Sequence, residues 1–527
     1  LMLATKVNVL GGNSLSTFTI SAHDANAAAN TFDATGFLGA IAVTTVADAL
    51  NSFQTIKAGD MATDAVTTII AGTEKPALMS GVETLTVNST EADTAASIDL
   101  ANVTGLTSVV TSFTNAANDD QISLLNLASG VTVKTTVTQT ADQLVIGLTD
   151  VASETNSLDL ELTSFATVAA DVLDLNAAGV ETLNLTNKST NAGVVDLAGV
   201  DATSATGFVT VNVAGTGATT LNALNTDINV VNASAATGSL TLAAGQRDAD
   251  VMTVTGGYGV DAIAMENVAD VMDGGAGVDT LSINFAAILG GLSVDLSSTT
   301  DQVTAMDGGS NAAVQKNFES VDASSFTGFG AVIKGSSAAN VITGSPTVDN
   351  ISAGAGDDTI HITSTAASAS DVVDGGTGTG DTINIVGTTD FADTDSLIVN
   401  VENVTMGAGS IDVDLTGQTE ALNITGGTGA NTIVGGTGAD TINGGAGNVI
   451  DGLTGLAGGD TFVISAGADT ISDLAVGGVA DIVTVAVGAT VVATLAGNFT
   501  ATAATQNLGS AKADFTIAGV TGTETVD

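Results

Sequence analysis

Residues 426–443 read GGTGANTIVGGTGADTIN, which is two nine-residue units in succession. Each unit has the form Gly-Gly-x-Gly-x-Asp/Asn-x-apolar-x, so a polar side chain, Asn431 or Asp440, precedes an isoleucine by two residues. Glycine adopts left-handed backbone angles easily, so the first six residues of a unit can form a tight turn with inward-pointing carbonyls. Carboxylate and amide oxygens beside those carbonyls are hard ligands of the kind that Ca²⁺ takes. The pattern therefore predicts a calcium-binding turn followed by a short strand whose isoleucine faces inward.

The same unit occurs upstream, complete at residues 256–264 (GGYGVDAIA) and 274–282 (GGAGVDTLS). These two units begin 18 residues apart. We therefore expect Asp261 and Asp279 to stack on successive coils. A variant with one extra residue, GGTGTGDTINI, occupies residues 375–385.

A more degenerate set keeps the phase of the repeat. Asn340, Asp349 and Asp358 each stand two residues before an isoleucine. Glycine-rich low complexity is the alternative interpretation, but it does not explain why the apolar residue keeps its place in every unit.

The unit resembles the nonapeptide of the RTX calcium-binding β-roll. The resemblance implies a parallel β-solenoid or β-roll that binds Ca²⁺, and it covers about residues 256–285, 335–385 and 426–464. Residues predicted to form the calcium-binding turns are Gly256, Gly257, Gly259, Asp261, Gly274, Gly275, Gly277, Asp279, Asn340, Asp349, Gly354, Gly356, Asp358, Gly375, Gly376, Gly378, Asp381, Gly426, Gly427, Gly429, Asn431, Gly435, Gly436, Gly438, Asp440, Gly444, Gly445, Gly447 and Asp460.

The resemblance also implies a route and a mechanism. RTX proteins leave Gram-negative bacteria unfolded through a type I secretion channel and fold outside the cell. Without metal the stacked aspartates repel one another and the glycine-rich turns cost entropy. Calcium that bridges successive coils offsets both costs, so binding and folding become one event. A Kd of roughly 10⁻⁴–10⁻³ M, usual for extracellular modules, would keep the cytosolic chain unfolded.

Composition suits thin, regular coils. Of the 527 residues 44% are hydrophobic, yet Phe numbers only 15, Tyr one and Trp none. The net charge of −48, with nine basic residues, argues against nucleic acid and anionic membranes as partners. Acidic residues are 46 Asp and 11 Glu, and because Asp favours turns whereas Glu favours helices, the excess of Asp indicates acidic turns on a β-rich body. The acidic residues outside the repeats are explained by a solvated acidic surface.

Cysteine is absent, so the fold is not held by disulfides, and no apolar run of 18 residues predicts a membrane span. The first residues, LMLATKVNVL, show neither the charged n-region nor the apolar core of a Sec signal, and this start is also compatible with a piece of a longer chain.

A second motif consists of a turn, a glutamate and an alternating strand. It reads GVETLTVNS at 81–89 and GVETLNLTN at 179–187, with looser copies at 317–324 and 400–407. In the first copy alternate apolar residues face one way, which suits the rungs of a β-solenoid whose outer face carries Thr and Asn ladders. The glutamates (Glu83, Glu181, Glu319 and Glu402) are interpreted as edge or turn caps in preference to functional groups.

The chain is expected to be all-β, in four segments. Residues 1–80 form a mixed, mostly β segment, with one two-turn helix predicted over 45–53; residues 81–255 form a β-rich, solenoid-like segment. Residues 256–465 carry the RTX-like blocks with strand spacers, and 466–527 form a C-terminal β cap that hides the open edge of the last coil.

No catalytic motif is present. HExxH and GxSxG are absent, there is no Cys for a Cys-His pair, and no glycine-rich loop carries the lysine that phosphate binding needs. Of the two histidines, His23 lies in a polar loop and His361 is expected on the outer face of the roll. Adjacent carboxylates at 119–120 and 357–358 could serve acid–base chemistry, but turn or calcium-ligand roles are favoured. The chain is therefore predicted not to be an enzyme.

Overall composition is similar to the RTX-type surface-layer proteins of Gram-negative bacteria, such as that of Caulobacter, which interleave nonapeptide blocks with strands of the GVETLTV kind. The resemblance implies a secreted, cell-surface structural protein that self-assembles into a calcium-dependent lattice. Its partners would be copies of itself and surface polysaccharide or lipopolysaccharide, without nucleic acid or membrane insertion. The first 80 residues show no helical anchoring domain, so the mode of attachment is left open.

Two alternatives remain. A secreted RTX adhesin or biofilm-matrix protein would share the calcium chemistry, although the long near-identical domains that would favour it are absent. A secreted polysaccharide-acting enzyme on a β-helix would need basic residues and aromatic sugar platforms, and one Arg, one Tyr and no Trp argue against it.

Overall fold

The computed structural model describes most of the chain, in segments. These are residues 6–10, 16–20, 30–45, 53–59, 63–70, 72–89, 95–113, 121–137, 142–151, 155–165, 172–202, 208–246, 251–285, 290–306, 309–363, 371–386, 391–392, 397–445, 451–464, 470–474, 482–485, 492–497 and 514–518. The helix predicted over 45–53 falls mainly on residues 46–52, which lie outside the described residues. The chain divides into two compact units, residues 1–279 and 280–527.

Short strands make up the first unit. They are β1 (Lys6–Leu10), β2 (Ser16–Ile20), β3 (Asn30–Gly36), β4 (Ile41–Thr45), β5 (Phe53–Lys57), β6 (Ala65–Ile70), β7 (Thr73–Glu74), β8 (Met79–Ser80), β9 (Thr84–Ser89), β10 (Ala95–Asp99), β11 (Val103–Thr104), β12 (Ser108–Phe113), β13 (Gln121–Leu127), β14 (Thr132–Val137), β15 (Asp142–Leu148), β16 (Ser157–Phe165), β17 (Val172–Ala178), β18 (Thr182–Asn187), β19 (Gly193–Asp201), β20 (Val209–Gly215), β21 (Thr219–Asn222), β22 (Ile228–Ala236), β23 (Leu240–Leu242), β24 (Thr253–Thr255), β25 (Ala262–Met265) and β26 (Val271–Asp273).

Successive coils of the first unit place their strands in three parallel sheets. Sheet I has the order β1-β3-β5-β8-β11, sheet II runs β2-β4-β6-β9-β12-β14-β16-β18-β20-β22-β24-β26, and sheet III runs β7-β10-β13-β15-β17-β19-β21-β23-β25. Because the chain alternates between sheets, a strand pairs in parallel with the strand one coil away rather than with its neighbour in sequence.

Alternation within each strand sets which side chains face inward. In β9 Leu85 and Val87 are fully buried whereas Thr84 and Thr86 are half-buried, as the sequence predicts. Register then stacks the inward residues: Leu85 pairs with Val66 on one side and with Val109 on the other. The core is therefore a set of apolar columns along the coils.

The outer face carries the expected polar ladders. Asn212 donates from Nδ2 to Oδ1 of Asn184 at 2.8 Å, and Asn184 donates in turn to Asp159 at 2.7 Å. Asn232 continues the same ladder to Asn212.

Strands of the second unit are shorter. They are β27 (Thr280–Ile283), β28 (Leu292–Asp295), β29 (Val303–Met306), β30 (Gly309–Ser310), β31 (Gln315–Lys316), β32 (Ser320–Asp322), β33 (Ala331–Ser336), β34 (Val341–Thr343), β35 (Asn350–Gly354), β36 (Thr359–Ile362), β37 (Val372–Asp374), β38 (Thr382–Ile385), β39 (Phe391–Ala392), β40 (Ile398–Val399), β41 (Asn403–Met406), β42 (Asp412–Asp414), β43 (Asn423–Thr425), β44 (Thr432–Val434), β45 (Thr441–Asn443), β46 (Gly452–Thr454), β47 (Thr461–Ile464), β48 (Thr470–Leu474), β49 (Ile482–Val485), β50 (Val492–Gly497) and β51 (Asp514–Ala518).

These strands also form three sheets. Sheet IV runs β27-β32-β34-β36-β38-β41-β43-β45-β47-β49, sheet V runs β30-β29-β28-β33-β35-β37-β40, and sheet VI runs β39-β42-β44-β46-β48-β50-β51. Pairing is parallel except where β28, β29 and β30 form an antiparallel meander. One unbroken apolar column in sheet IV runs Ile342, Ile360, Ile383, Val404, Ile424, Ile442 and Phe462.

The fold is therefore an all-β parallel solenoid, and the predicted fold class is confirmed. The described residues contain no helix, and so none long and apolar enough to cross a membrane. The division at residue 279 falls inside the predicted segment 256–465, and the four-segment division stays a prediction. In the predicted C-terminal cap, the described strands from β48 to β51 continue the parallel ladders of sheets IV and VI.

Candidate calcium-binding turns

One polar position recurs at the turns of both units, two residues before an inward-facing apolar residue. It is a carboxylate or an amide at Asp64, Glu83, Asn156, Glu181, Asp261, Asp270, Asp279, Asn340, Asp349, Asp358, Asp371, Asp381, Glu402, Asn431, Asp440, Asp451 and Asp460. All of the Asp and Asn members are buried, and the three glutamates are half-buried. We call this position the turn-anchor position.

Turn-anchor side chains link one coil to the next. Oδ1 of Asp279 accepts a hydrogen bond of 2.8 Å from the backbone N–H of Asp261, so the stacking expected for this pair is confirmed. In sheet IV Asp440 accepts from Leu422 N at 2.9 Å, and Asp440 N donates to Asp460 at 2.9 Å. Carboxylates are thus stacked on successive coils, where their negative charges face one another.

The degenerate set divides between the two sheets of the second unit. Asn340 N donates to Asp358 at 2.7 Å, and Asp358 N donates to Asp381 at 2.7 Å, in the turns before sheet IV. Asp349 belongs to the turns before sheet V, where it accepts from Ala331 N at 2.7 Å and its own N–H donates to Asp371.

The second carboxylate oxygen faces into the glycine turn. Oδ2 of Asp261 accepts from Gly257 N at 2.6 Å, and Oδ2 of Asp440 accepts from Gly436 N at 2.9 Å. In Asp358, by contrast, Oδ2 is buried and accepts no hydrogen bond from the protein. A buried carboxylate oxygen without a donor is costly unless a cation neutralises it.

Glycine is needed here because successive turns approach closely. A Cβ on Gly435 would lie 2.6 Å from Oδ2 of Asp440 and 3.2 Å from the carbonyl oxygen of Gly455 on the following coil. A Cβ on Gly275 would lie 2.5 Å from the carbonyl oxygen of Gly257. The close oxygens beside Gly435 come from two coils, and carboxylate and carbonyl oxygens are the donors that Ca²⁺ takes.

A left-handed backbone conformation accounts for only some of the glycines in these turns. Gly275 and Gly445 have φ of 97° and 107°, in the left-handed region that disfavours side chains. The six glycines of residues 426–443 lie outside that region. The left-handed turn expected for this stretch is therefore not observed, and close packing between coils is what excludes a side chain there.

Burial makes these carboxyl groups weaker acids. Desolvation raises the pKa of Asp349 to about 6, with a further contribution from the charge of Asp371. Desolvation also raises the pKa of Asp358 to about 6, assisted by Asp381 and Asp357. The pKa of Asp440 is raised for the same reason. A cation bound between the coils would favour the ionised forms instead.

In turns with asparagine at the turn-anchor position, the side-chain amide both accepts and donates hydrogen bonds. Asn431 accepts from Ile411 N through Oδ1, while its Nδ2 donates to the carbonyl oxygens of Gly429 at 2.8 Å and Gly444 at 3.1 Å. The amide N–H groups therefore occupy the side where an aspartate turn presents only oxygens. In the same way Asn340 Nδ2 donates to the carbonyl oxygen of Glu319 at 2.6 Å.

Three of the four glutamates of the second motif, Glu83, Glu181 and Glu402, occupy the same position and act as caps, as the sequence predicts. Oε2 of Glu83 accepts from Asp64 N at 3.0 Å, Glu181 from Asn156 N at 2.7 Å, and Glu402 from Asp381 N at 2.9 Å. The longer side chain reaches the N–H of the preceding coil where the turn itself lacks the nonapeptide glycines.

The other polar groups singled out in the sequence do not form a catalytic arrangement. Asp357 is exposed and accepts from Thr379 N, whereas its neighbour Asp358 is buried in the turn-anchor position. His361 lies on the outward face of β36, half-buried, with its Nδ1 3.1 Å from Asn384 Nδ2. His23 and residues 119–120 lie outside the described residues. Across the described part of the chain, no three His, Asp or Glu side chains converge on one point.

The predicted site residues lie in the described turns, except for Gly447, which lies outside the described residues, and their binding of Ca²⁺ stays a prediction. Sequence reasoning missed four aspartates of the turn-anchor position, Asp64, Asp270, Asp371 and Asp451. Their glycines are incomplete, but each precedes a buried apolar residue by two, and that spacing could have found them.

Comparison with known families agrees with this geometry. The family model of the RTX calcium-binding nonapeptide repeat matches four copies, at residues 269–282, 327–361 and 423–450. A search of curated proteins finds no match to the chain. The matched residues include Asp279, Asp358 and Asp440 of the turn-anchor position, which places the family's repeats on the stacked turns. The chain therefore carries RTX calcium-binding nonapeptide repeats, built into a parallel β-solenoid.

Proposed function

We propose that this chain is a secreted structural protein that assembles, in the presence of calcium, into a two-dimensional lattice on the bacterial surface. The observation that carries the proposal is the column of buried carboxylates that joins successive coils. The buried charges of the solenoid lie where they link one coil to the next, which is a structural role. RTX repeats are typical of proteins exported by type I secretion, which supports an extracellular location.

Calcium has a physical role at two levels in this proposal. Within a coil stack it neutralises carboxylates such as Asp358, whose Oδ2 is buried without a donor. Between chains it screens a net charge of −48, because like-charged subunits repel one another without counter-ions. Partners are further copies of the chain and an anionic surface polysaccharide or lipopolysaccharide that shares the cation.

We also propose that the chain has no enzymatic activity. Two observations support this. Asp357 is exposed whereas Asp358 is buried, and the ring of His361 is hydrogen-bonded to Asn384 on the next strand of the sheet. Neither arrangement presents an acid and a base to a common substrate.

Electron microscopy of the purified protein tests the proposal. We expect ordered sheets in millimolar Ca²⁺ that disappear when a chelator is added and return with Ca²⁺. Mg²⁺ at the same ionic strength is the control for charge screening, because it demands octahedral geometry and keeps its waters. Ordered sheets with Mg²⁺ alone would contradict a specific role for calcium.

Other outcomes separate the alternatives. Monodisperse particles that lose their fold on chelation would retain the calcium roll but favour a secreted adhesin or matrix protein. A fold and an assembly that are both indifferent to calcium would overturn the proposal. Replacing Asp261, Asp279 and Asp440 by Ala is expected to raise the calcium concentration needed for folding, as followed by circular dichroism.

A further inference from the structure

The outward face of sheet V carries a row of exposed apolar side chains. On its three central strands, β33, β35 and β37, Val332 and Val372 stand on either side of Asn350 in parallel register. The two valines are 54% and 40% exposed, and Phe329 and Val348, in the turns that lead into β33 and β35, are also exposed. Exposed apolar residues that are contiguous across neighbouring strands are typical of an interaction surface.

A second row on the same face carries charges of opposite sign. Lys334, Ser352 and Asp374 are paired in register, two residues further along the three strands. Lys334 donates to Asp295 at 3.0 Å, and Oδ1 of Asp374 accepts from Asn400 at 2.8 Å. An ammonium group has three N–H donors and a carboxylate has two oxygens, so both groups can take a further partner from outside the chain.

The two rows are arranged symmetrically about β35. A two-fold axis that runs parallel to β35, just above the face, places β33 of one copy over β37 of the other and keeps each residue at its level along the strand. Val332 then meets Val372, Lys334 meets Asp374, and Asn350 meets Asn350 of the second copy. A two-fold axis across the strands would instead place Lys334 over Val332, which desolvates the charge without pairing it.

We propose that the outward face of sheet V is an interface between two copies of this chain, related by the two-fold axis along β35. Such an interface is isologous, so the valine contact and the ion pair each occur twice. The paired charges fix the register of the two copies more than they add to affinity. The contact rests on the proposed function, because it is one of the contacts that a lattice of copies needs.

The interface is small. Strands lie about 4.8 Å apart, so the five parallel strands from β28 to β40 span about 24 Å, and facing sheets pack about 10 Å apart. With two outward residues on a strand, the area buried on both copies is roughly 500 Å², below the about 1,200 Å² of a stable complex. A single contact is therefore weak and gains strength where many form together. Covalent trapping is the suitable measurement.

Chemical cross-linking from one cysteine reports the contact, because the chain has no cysteine of its own. Asn350→Cys lies on the two-fold axis and faces its own copy. Thr432→Cys is the control, since Thr432 is the exposed first residue of β44 in sheet VI. Both full-length variants are treated with a short bismaleimide in millimolar Ca²⁺. We expect Asn350→Cys to form covalent dimers about tenfold faster than Thr432→Cys, a preference that about 1.4 kcal/mol provides.

A charge exchange tests the register. With Asn350→Cys as the reporter, Lys334→Asp and Asp374→Lys each place two like-charged pairs in the interface, and each should cross-link about tenfold more slowly than the parent. An equimolar mixture of the two restores opposite charges in both pairs and should return to the rate of the parent, with mixed dimers as the product. Lys188→Asp and Asp414→Lys make the same changes of charge on other surfaces and should keep the rate of the parent.

The proposal is overturned if the mixture is as slow as its components, or if Asn350→Cys cross-links no faster than Thr432→Cys. The second comparison changes no charge, so it decides the matter even if circular dichroism shows a charge variant to be unfolded. Electron microscopy separates this contact from the proposed function. Ordered wild-type sheets beside a slow mixture would remove the contact and leave the lattice, whereas fast Asn350→Cys dimers without wild-type sheets would remove the lattice and leave the contact.

Discussion

Asparagine and aspartate at the turn-anchor position differ in what they can donate. Asn431 turns its Nδ2 towards the carbonyl oxygens of Gly429 and Gly444, so the turn is satisfied by the protein alone. An aspartate in the same place brings only acceptors, and its turn is left with an excess of oxygen atoms. We therefore expect an aspartate turn to depend more on a cation than an asparagine turn does.

Asn431→Asp should convert a self-satisfied turn into a calcium-dependent one. The new carboxylate loses three donated hydrogen bonds, of which one, at 3.4 Å, goes to Oδ1 of Asp451, and it then faces that carboxylate. In chelator we expect stability to fall by about 1–3 kcal/mol, since buried acceptors lose their donors. In millimolar Ca²⁺ the melting temperature should return to that of wild type or exceed it.

Asn423→Asp is the matched control for that substitution. Asn423 is exposed on β43 and donates to Asn403 at 3.2 Å, so the same change of charge occurs in water. Thermal melts followed by circular dichroism in Ca²⁺ and in chelator compare the two variants. Equal calcium dependence of both would show that the turn-anchor position has no special role.

Acid should replace calcium in part. Burial raises the pKa of Asp349 and of Asp358 from 3.8 to about 6 in the folded chain. A group with a raised folded-state pKa contributes stability that is full below its unfolded pKa and is lost as the pH rises through its folded pKa. In chelator the melting temperature should therefore rise between pH 7.5 and pH 4.5, where folding takes up protons.

Asp99 has the opposite sign, but in a different window. The ammonium group of Lys75, 2.6 Å away, lowers the pKa of Asp99 to about 2, so its contribution is lost only below about pH 4. Thermal melts at constant ionic strength from pH 7.5 to 4.5 measure the effect. In chelator, a melting temperature that falls as the pH is lowered from 7.5 to 4.5 would contradict the prediction made for Asp349 and Asp358.

At the scale of the coil, glutamate caps join turns without any metal. Oε2 of Glu181 accepts from Asn156 N at 2.7 Å. Glu181→Ala should cost about 1–3 kcal/mol, because the buried N–H loses its acceptor, and the cost should be the same in Ca²⁺ and in chelator. Glu181→Gln keeps an acceptor oxygen and should restore most of the loss.

Glu161→Ala is the comparison for that prediction. Glu161 accepts from Lys188 at 2.8 Å, but Lys188 is 58% exposed, so this surface pair is worth about 0–1 kcal/mol. Denaturant titrations of the three variants give the free energies of unfolding. A Glu181→Ala loss that appears only in Ca²⁺ would mean that the glutamate acts as a ligand rather than as a cap.

Strands could be predicted from sequence because their signal is local. Alternation identified β9 and β18, and the apolar residue two places after each aspartate identified the short strands of the repeats. Outside the regular repeats, where the 18-residue spacing predicted the stacking of Asp261 and Asp279, contacts between coils carry no such signal. Val332 and Val372 come from different coils, and only the register of the coils brings them to the two sides of Asn350.

The two units differ in how much apolar surface each coil buries. In the first unit β16, β19 and β22 have nine residues each, with inward columns of Leu and Val. In the second unit β43, β44 and β45 have three residues each, so a coil buries little more than one isoleucine per strand. Hydrophobic burial scales with area, so the short coils depend more on what neutralises their turns.

Chelation should therefore loosen the second unit first. We expect backbone amides of β34 to β47 to lose protection from hydrogen exchange at a chelator concentration that leaves β16 to β22 protected. The short strands lose their calcium and face stacked carboxylates, such as Asp440 and Asp460, across one coil. The long strands keep their Leu columns and the metal-free cap of Glu181.

Exchange followed by mass spectrometry after stepwise removal of Ca²⁺ distinguishes this order from a single transition, in which both sets of strands would open together. A single transition would mean that calcium at the repeats supports the long coils as strongly as the short ones, and that the Leu columns alone do not suffice to hold them.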